Sequence, residues 1–146
     1  MSTAKGLTAD QVIDTFGELI ASLTAFAAKV PAKSVMAIPG GIRPNPEAVE
    51  TYESIVYRFR DRSGMTYRVL NTFFIDSLEA FEAGRVFDAV PPLLLAIEQL
   101  VELHKEEKVK YTSDQQNRIR EFHRRLEKIL PEKNKPEVDL PTPETY

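Results

Sequence analysis

Residues 8–30, TADQVIDTFGELIASLTAFAAKV, decide the fold class. Val12, Ile13, Phe16, Leu19, Ile20, Leu23 and Phe26 recur at steps of three and four, which lays one apolar stripe along a helix. Thr8 and Gln11 stand at capping-box spacing, where a hydroxyl and an amide satisfy free N–H groups of the first turn. The stretch predicts a helix from about Ala9 to Val30. Pro31 stops it, because propagation needs a backbone donor that proline lacks.

The same reading extends outward along the chain. Asn45, Pro46 and Glu47 make a helix start: a capping side chain, a pre-set φ, and a negative charge at the positive end of the helix dipole. Val49, Tyr52, Ile55, Val56 and Phe59 form the buried face of this second helix. Ser63-Gly64 interrupts the pattern, and a further stripe follows in Val69, Leu70, Phe73, Phe74, Leu78 and Phe81. That reads as two helices or one helix kinked at Gly64, ending at Gly84 as a C-cap. Asp88 is the expected cap of the fourth helix, with Pro91 and Pro92 in its first turn. Its apolar side is Val90, Leu93, Leu94, Ile97, Leu100, Val101 and His104. Ser113 and Gln116 give another capping box and open a fifth helix to Leu130, with the stripe Ile119, Phe122, Leu126 and Ile129. The expected fold is all-α, a helical bundle of about five helices.

Two segments resist regular structure. Residues 31–46, PAKSVMAIPGGIRPNP, carry four prolines and Gly40-Gly41, yet Val35, Met36, Ile38 and Ile42 make them an apolar connector. The last 16 residues, PEKNKPEVDLPTPETY, also hold four prolines and read as an extended tail. The expected organisation is therefore one helical domain over residues 1–130, containing the connector, followed by the tail at 131–146.

Composition bounds the function. A chain of 146 residues with 42% hydrophobic and 28% charged residues is one domain long, and a chain of this size typically buries about 68–70% of its unfolded surface. With no cysteine, disulfides, thiolate metal sites and cysteine nucleophiles are excluded. Charges interrupt every apolar run before the roughly 18–20 residues of a membrane span. MSTAKGLTAD lacks the apolar core of a secretory signal, so the expected setting is intracellular, cytoplasmic or within a viral particle.

Motifs for chemistry are sparse. Neither His104 nor His123 has a carboxylate three residues before it, so the Glu-x-x-His pattern of di-metal bundles is absent. His104, next to Lys105, reads as a residue of a helix C-terminus rather than a ligand. No phosphate loop, dinucleotide fingerprint or nucleophile elbow occurs, and the expectation is no metal and no cofactor. Arg118 and His123 stand in an R-x4-H arrangement on a short all-helical domain. This resembles the ribonuclease motif of the HEPN families, and the resemblance implies that Arg118 and His123 serve attack of a 2′-hydroxyl on RNA. Set against it, His123 has Glu127 one turn on as a pairing partner.

Charge is distributed unevenly around the net −3. Residues 57–68, YRFRDRSGMTYR, set Arg58, Arg60, Arg62 and Arg68 against Asp61, a local +3. Residues 118–128 set Arg118, Arg120, Arg124, Arg125 and Lys128 against Glu121 and Glu127, again +3. Between them, residues 76–107 hold eight acids against Arg85 and Lys105, a local −6. Arginine suits bidentate contact with phosphate, and Arg120, Arg124 and Lys128 share the helix face opposite the apolar stripe. Phe59 continues a buried stripe, whereas Tyr57 lies off it, where a ring can stack on a base. Net negative charge argues against a free-standing nucleic-acid binder.

A non-enzymatic subunit that packs in many copies along nucleic acid reconciles these features, in the manner of a coat or nucleocapsid protein. Acidic and basic faces of neighbouring copies would meet, and multivalency would supply affinity. The expected phosphate contacts are Arg58, Arg60, Arg62, Arg68, Arg120, Arg124 and Lys128, with DNA and RNA both open as the partner. A protein–protein adaptor without nucleic acid is the alternative reading, and the ribonuclease a further one.

Overall fold

A computed structural model describes residues 6–27 and 44–130. Five helices longer than ten residues and no strand occur among them: α1 (Ala9–Ala27), α2 (Pro46–Arg62), α3 (Asn71–Glu82), α4 (Val90–Lys105) and α5 (Ser113–Ile129). The chain is an all-α bundle. The connector at 31–46, apart from its last three residues, and the tail at 131–146 lie outside the described residues, as does Pro31.

Local chemistry starts the helices largely as the sequence predicts. At α1 the Thr8 amide donates to Gln11 Oε1 at 2.9 Å, and the Gln11 amide to Thr8 Oγ1 at 3.2 Å. Asn45 caps α2 by accepting from the Ala48 amide at 2.8 Å, with Pro46 behind it. Two starts differ. The box at α5 sits one residue earlier: Thr112 Oγ1 accepts from the Gln115 amide and Gln115 Oε1 from the Thr112 amide. The run TSDQQ satisfies the spacing in two registers. Thr112 has the extended cap conformation, and Gln116 instead reaches back to the Tyr111 carbonyl. Asp88 does not cap α4; it lies in a 3-10 turn, Val86–Ala89, that runs straight into the helix, and it pairs with Arg85 at 3.4 Å. With Ala89 before the first helical residue, Pro91 and Pro92 occupy the positions whose N–H groups a cap would serve, so no cap is needed.

Glycines set two of the ends. Gly64 at φ 81° terminates α2, and the chain continues through one α-turn, Gly64–Tyr67, and a 3-10 turn, Arg68–Leu70, into α3. The sequence alternatives thus resolve to two helices. Gly6 crosses here, so close that a Cβ on it would lie 2.6 Å from Gly64 Cα. At the other end of α3, Gly84 (φ 85°) closes a Schellman motif: its amide donates to Phe81 and the Arg85 amide to Ala80.

The helices pack in a closed order, each against its neighbours: α1 touches α2 and α5, α2 touches α3, α3 touches α4, and α4 touches α5. Aromatic rings fill the middle. Phe74 of α3 meets Phe16 of α1 and Phe59 of α2 edge-on, with centroids 5.1 and 4.8 Å apart, and Phe81 stacks on Tyr52 at 4.7 Å. One buried polar relay crosses this core. Ser77 donates to the Ala89 carbonyl at 2.7 Å, which makes Tyr52 the donor in its 2.6 Å contact with Ser77. Burial pushes the Tyr52 hydroxyl well above the ordinary tyrosine range.

Two positions expected inside are outside. Val69 and Val101 are exposed, while Leu103, absent from the expected α4 stripe, is buried. Val69 falls in the 3-10 turn, whose tighter pitch rotates it off the face kept by Leu70 and Phe74. On α4 the buried set is Val90, Leu93, Ala96, Ile97, Leu100 and Leu103, a stripe that Val101 flanks.

Candidate nucleic-acid interface

The candidate surface centres on α1, because α2 and α5 carry the two arginine-rich stretches and both pack against it. Asp10, Asp14 and Glu18 recur every fourth residue on α1, so they line one exposed edge. The first two reach α5 and the third reaches α2. Asp10 accepts from Gln115 Nε2 at 2.8 Å, Asp14 from Arg118 at 2.8 Å, and Glu18 from Arg58 at 2.6 Å. This acidic row was legible in the sequence as a four-residue acid spacing opposite the apolar stripe. Its partners were not, since they lie 40 to 105 residues away.

α1 and α2 are antiparallel, and the Arg58–Glu18 pair stands in the groove between them. On one side the groove opens to a hollow of about 790 Å³ edged by Ala21, Ser22, Thr51 and Ser54. On the other a hollow of about 320 Å³ is lined by Leu7, Gln11, Asp14, Phe59 and Arg62. The small side chains along α2 leave this space unfilled.

The first arginine stretch is thus largely engaged within the molecule. Arg58 is tied to Glu18, and Arg60 pairs with Asp61 at 3.2 Å while its guanidinium lies 4.5 Å over the Tyr57 ring. That contact covers the ring that the sequence offers for base stacking. Phe59 is buried, as predicted. Arg62 lines the smaller hollow beside Asp14. Arg68 is exposed and has no ion-pair partner among the described residues.

The second stretch stays on the surface. Phe122 anchors α5 against Gly17 of α1, where an added Cβ would sit 3.2 Å from the ring. Ile119 and Leu126 complete the buried side. Arg120, Arg124 and Lys128 are exposed on the opposite side, about 6 Å apart along the helix axis. Arg120 donates to Asn117, Arg124 pairs with Glu121, and Lys128 has no ion-pair partner among the described residues. Arg125, outside the sequence-based set, shares Glu121 at 3.8 Å and lies 5.8 Å from the Phe122 ring centre.

The residues that resemble a ribonuclease pair turn to different partners. Arg118 is held by Asp14 across the α1–α5 seam, and His123 Nδ1 lies 3.6 Å from Glu127 on its own helix. His104 is in the last turn of α4, stacked on Tyr111 at 5.2 Å. No cluster of three or more metal-ligating side chains forms among the described residues, and none of the described helices is long and apolar enough to cross a membrane. No protein-family model, curated protein or solved structure matches this chain.

Proposed function

We propose that the chain is a structural subunit that assembles in many copies along nucleic acid and touches phosphates through the outer face of α5. The exposed row Arg120, Arg124 and Lys128, on a helix anchored from behind by Phe122, carries this reading. A rigid row of cations at one-turn spacing tracks a phosphate backbone without reading its sequence. Arg68 and Arg62 are the secondary contacts. At Arg58, Arg60 and Arg124 a phosphate would have to displace Glu18, Asp61 or Glu121, and Arg58 and Arg60 rank lowest because they lie off the α5 row.

The net charge of −3 makes a single copy a weak binder, and repetition along the nucleic acid supplies the avidity. The test is sedimentation of the purified chain with double-stranded and single-stranded DNA and RNA, at low and high salt. Large particles that form only with nucleic acid and dissolve in salt are expected. A small oligomer indifferent to nucleic acid overturns the reading in favour of a protein–protein adaptor.

A further inference from the structure

Four large apolar side chains are exposed among the described residues: Met65 at 84%, Leu95 at 50%, Val69 at 46% and Val101 at 40%. Single exposed apolar residues are ordinary on a protein surface. These four fall into two pairs, one beside an exposed arginine and the other beside two exposed glutamates, with the exposed Lys105 one turn beyond Val101. Met65 and Val69 stand one turn apart on the segment between α2 and α3, with Arg68 exposed beside them. Leu95 and Val101 lie along α4 with Glu98 and Glu102 exposed between and after them. Neither Arg68 nor either glutamate has an ion-pair partner among the described residues.

From this complementarity we infer that the Met65–Arg68–Val69 knuckle of one copy docks on the Leu95–Glu98–Val101–Glu102 face of α4 in a second copy. The inference rests on the assembly reading only in taking the partner to be another copy of the chain. Each patch offers two apolar side chains, and the knuckle's Arg68 faces an α4 surface on which Glu98 and Glu102 outweigh Lys105. Docking removes the four side chains from water and places Arg68 against two carboxylates, which withdraws it from the phosphate contacts in every docked copy. The two patches differ, so the contact is heterologous: a chain of copies keeps one free knuckle at one end and one free α4 face at the other. Such a contact grows in one direction until it closes a ring or continues as a filament, which is the geometry that a repeating nucleic-acid track requires.

The absence of cysteine makes the contact directly testable, because a cysteine introduced at either patch is the sole thiol. M65C and L95C are prepared separately, mixed without nucleic acid, and treated with a short bismaleimide. A crosslinked dimer at least tenfold more abundant in the mixture than in either variant alone is expected. Adding R68E to the M65C chain should abolish it, and combining that chain with L95C carrying E98R and E102R should restore it. Equal crosslinking within either single variant, no crosslink in the mixture, or indifference to the charge reversals overturns the proposal. Circular dichroism of each variant confirms that these surface changes leave the bundle folded. Nucleic-acid binding by the same wild-type chain is measured separately, so loss of the crosslink and loss of phosphate contact are distinguishable results.

Discussion

Residues 57–68 and 118–128 look equivalent as sequence, each a run of arginines with a local charge of +3. In the folded chain their helices both pack against α1, and the two runs have different fates. The first gives Arg58 to Glu18 and turns Arg60 onto Asp61 and Tyr57. The second gives Arg118 to Asp14 across the seam and Arg124 and Arg125 to Glu121 on its own helix, which leaves Arg120 and Lys128 without a carboxylate among the described residues. A charge run therefore measures how many cations are present, not how many are available. Part of the difference between present and available is set by a third segment, the Asp10–Asp14–Glu18 edge of α1, which takes Arg58 from one run and Arg118 from the other.

That contrast can be broken at its base. Phe122→Ala removes the ring that holds α5 on α1 and should cost about 3–5 kcal/mol in a denaturant titration. A loss below about 1 kcal/mol would mean that the row on α5 is positioned by something other than this seam.

Alkaline pH tests the end of the bundle where the first region meets the turn that leads into α5. Tyr67, in the first stretch, lies beside Tyr111, which precedes α5 and donates to the Leu100 carbonyl at 3.2 Å. Burial raises Tyr111, with Tyr67 adding to the effect, and burial also raises Tyr52 and Tyr67. Above about pH 10 the unfolded chain loses these protons while the folded chain holds them. Stability is then full below pH 10 and falls as pH rises, with a limiting slope of about 1.4 kcal/mol per pH unit for each tyrosine. Thermal melts from pH 8 to 11 check the sign, and a flat profile would remove burial of these hydroxyls from the account.

The sharpest test of the contrast itself compares Arg120→Ala with Arg124→Ala against Arg58→Ala. The double variant should weaken nucleic-acid binding about tenfold, evenly across sequences, and reduce the salt slope by about 1.8, with helicity unchanged. Arg58→Ala should leave both within experimental scatter. Equal losses would show that the ion pair to Glu18 does not withhold Arg58. The smallest effect belongs to Asp14→Asn, which frees Arg118. An exposed pair of this kind is worth within about 1 kcal/mol, and melts at low and high salt should converge.

Much of the bundle was legible in the residues, because helix periodicity and capping are local. The Thr8–Gln11 box, the Asn45 cap and the Gly84 terminus all follow from groups within a few positions of one another. Where two local solutions compete, sequence reading slips by one residue, as at Thr112–Gln115 against Ser113–Gln116. Where a turn changes pitch, it misplaces a face, as at Val69. The candidate interface was half legible: the arginine row of α5 follows from spacing, and the loss of Arg58 to α1 does not.

The sequence by itself determined that this chain is helical, where most of its helices begin to within a residue or two, and which side chains make most of the core. Those outcomes depend on backbone donors, proline, glycine and apolar spacing, all read within about one turn of helix. Only the tertiary structure decided which cations and which apolar residues stay free. Ion pairing and exposure depend on side chains distant along the chain and adjacent in space, as Gln115 meets Asp10 and Arg58 meets Glu18. The packing order of five helices, not the order of residues, brings those groups together.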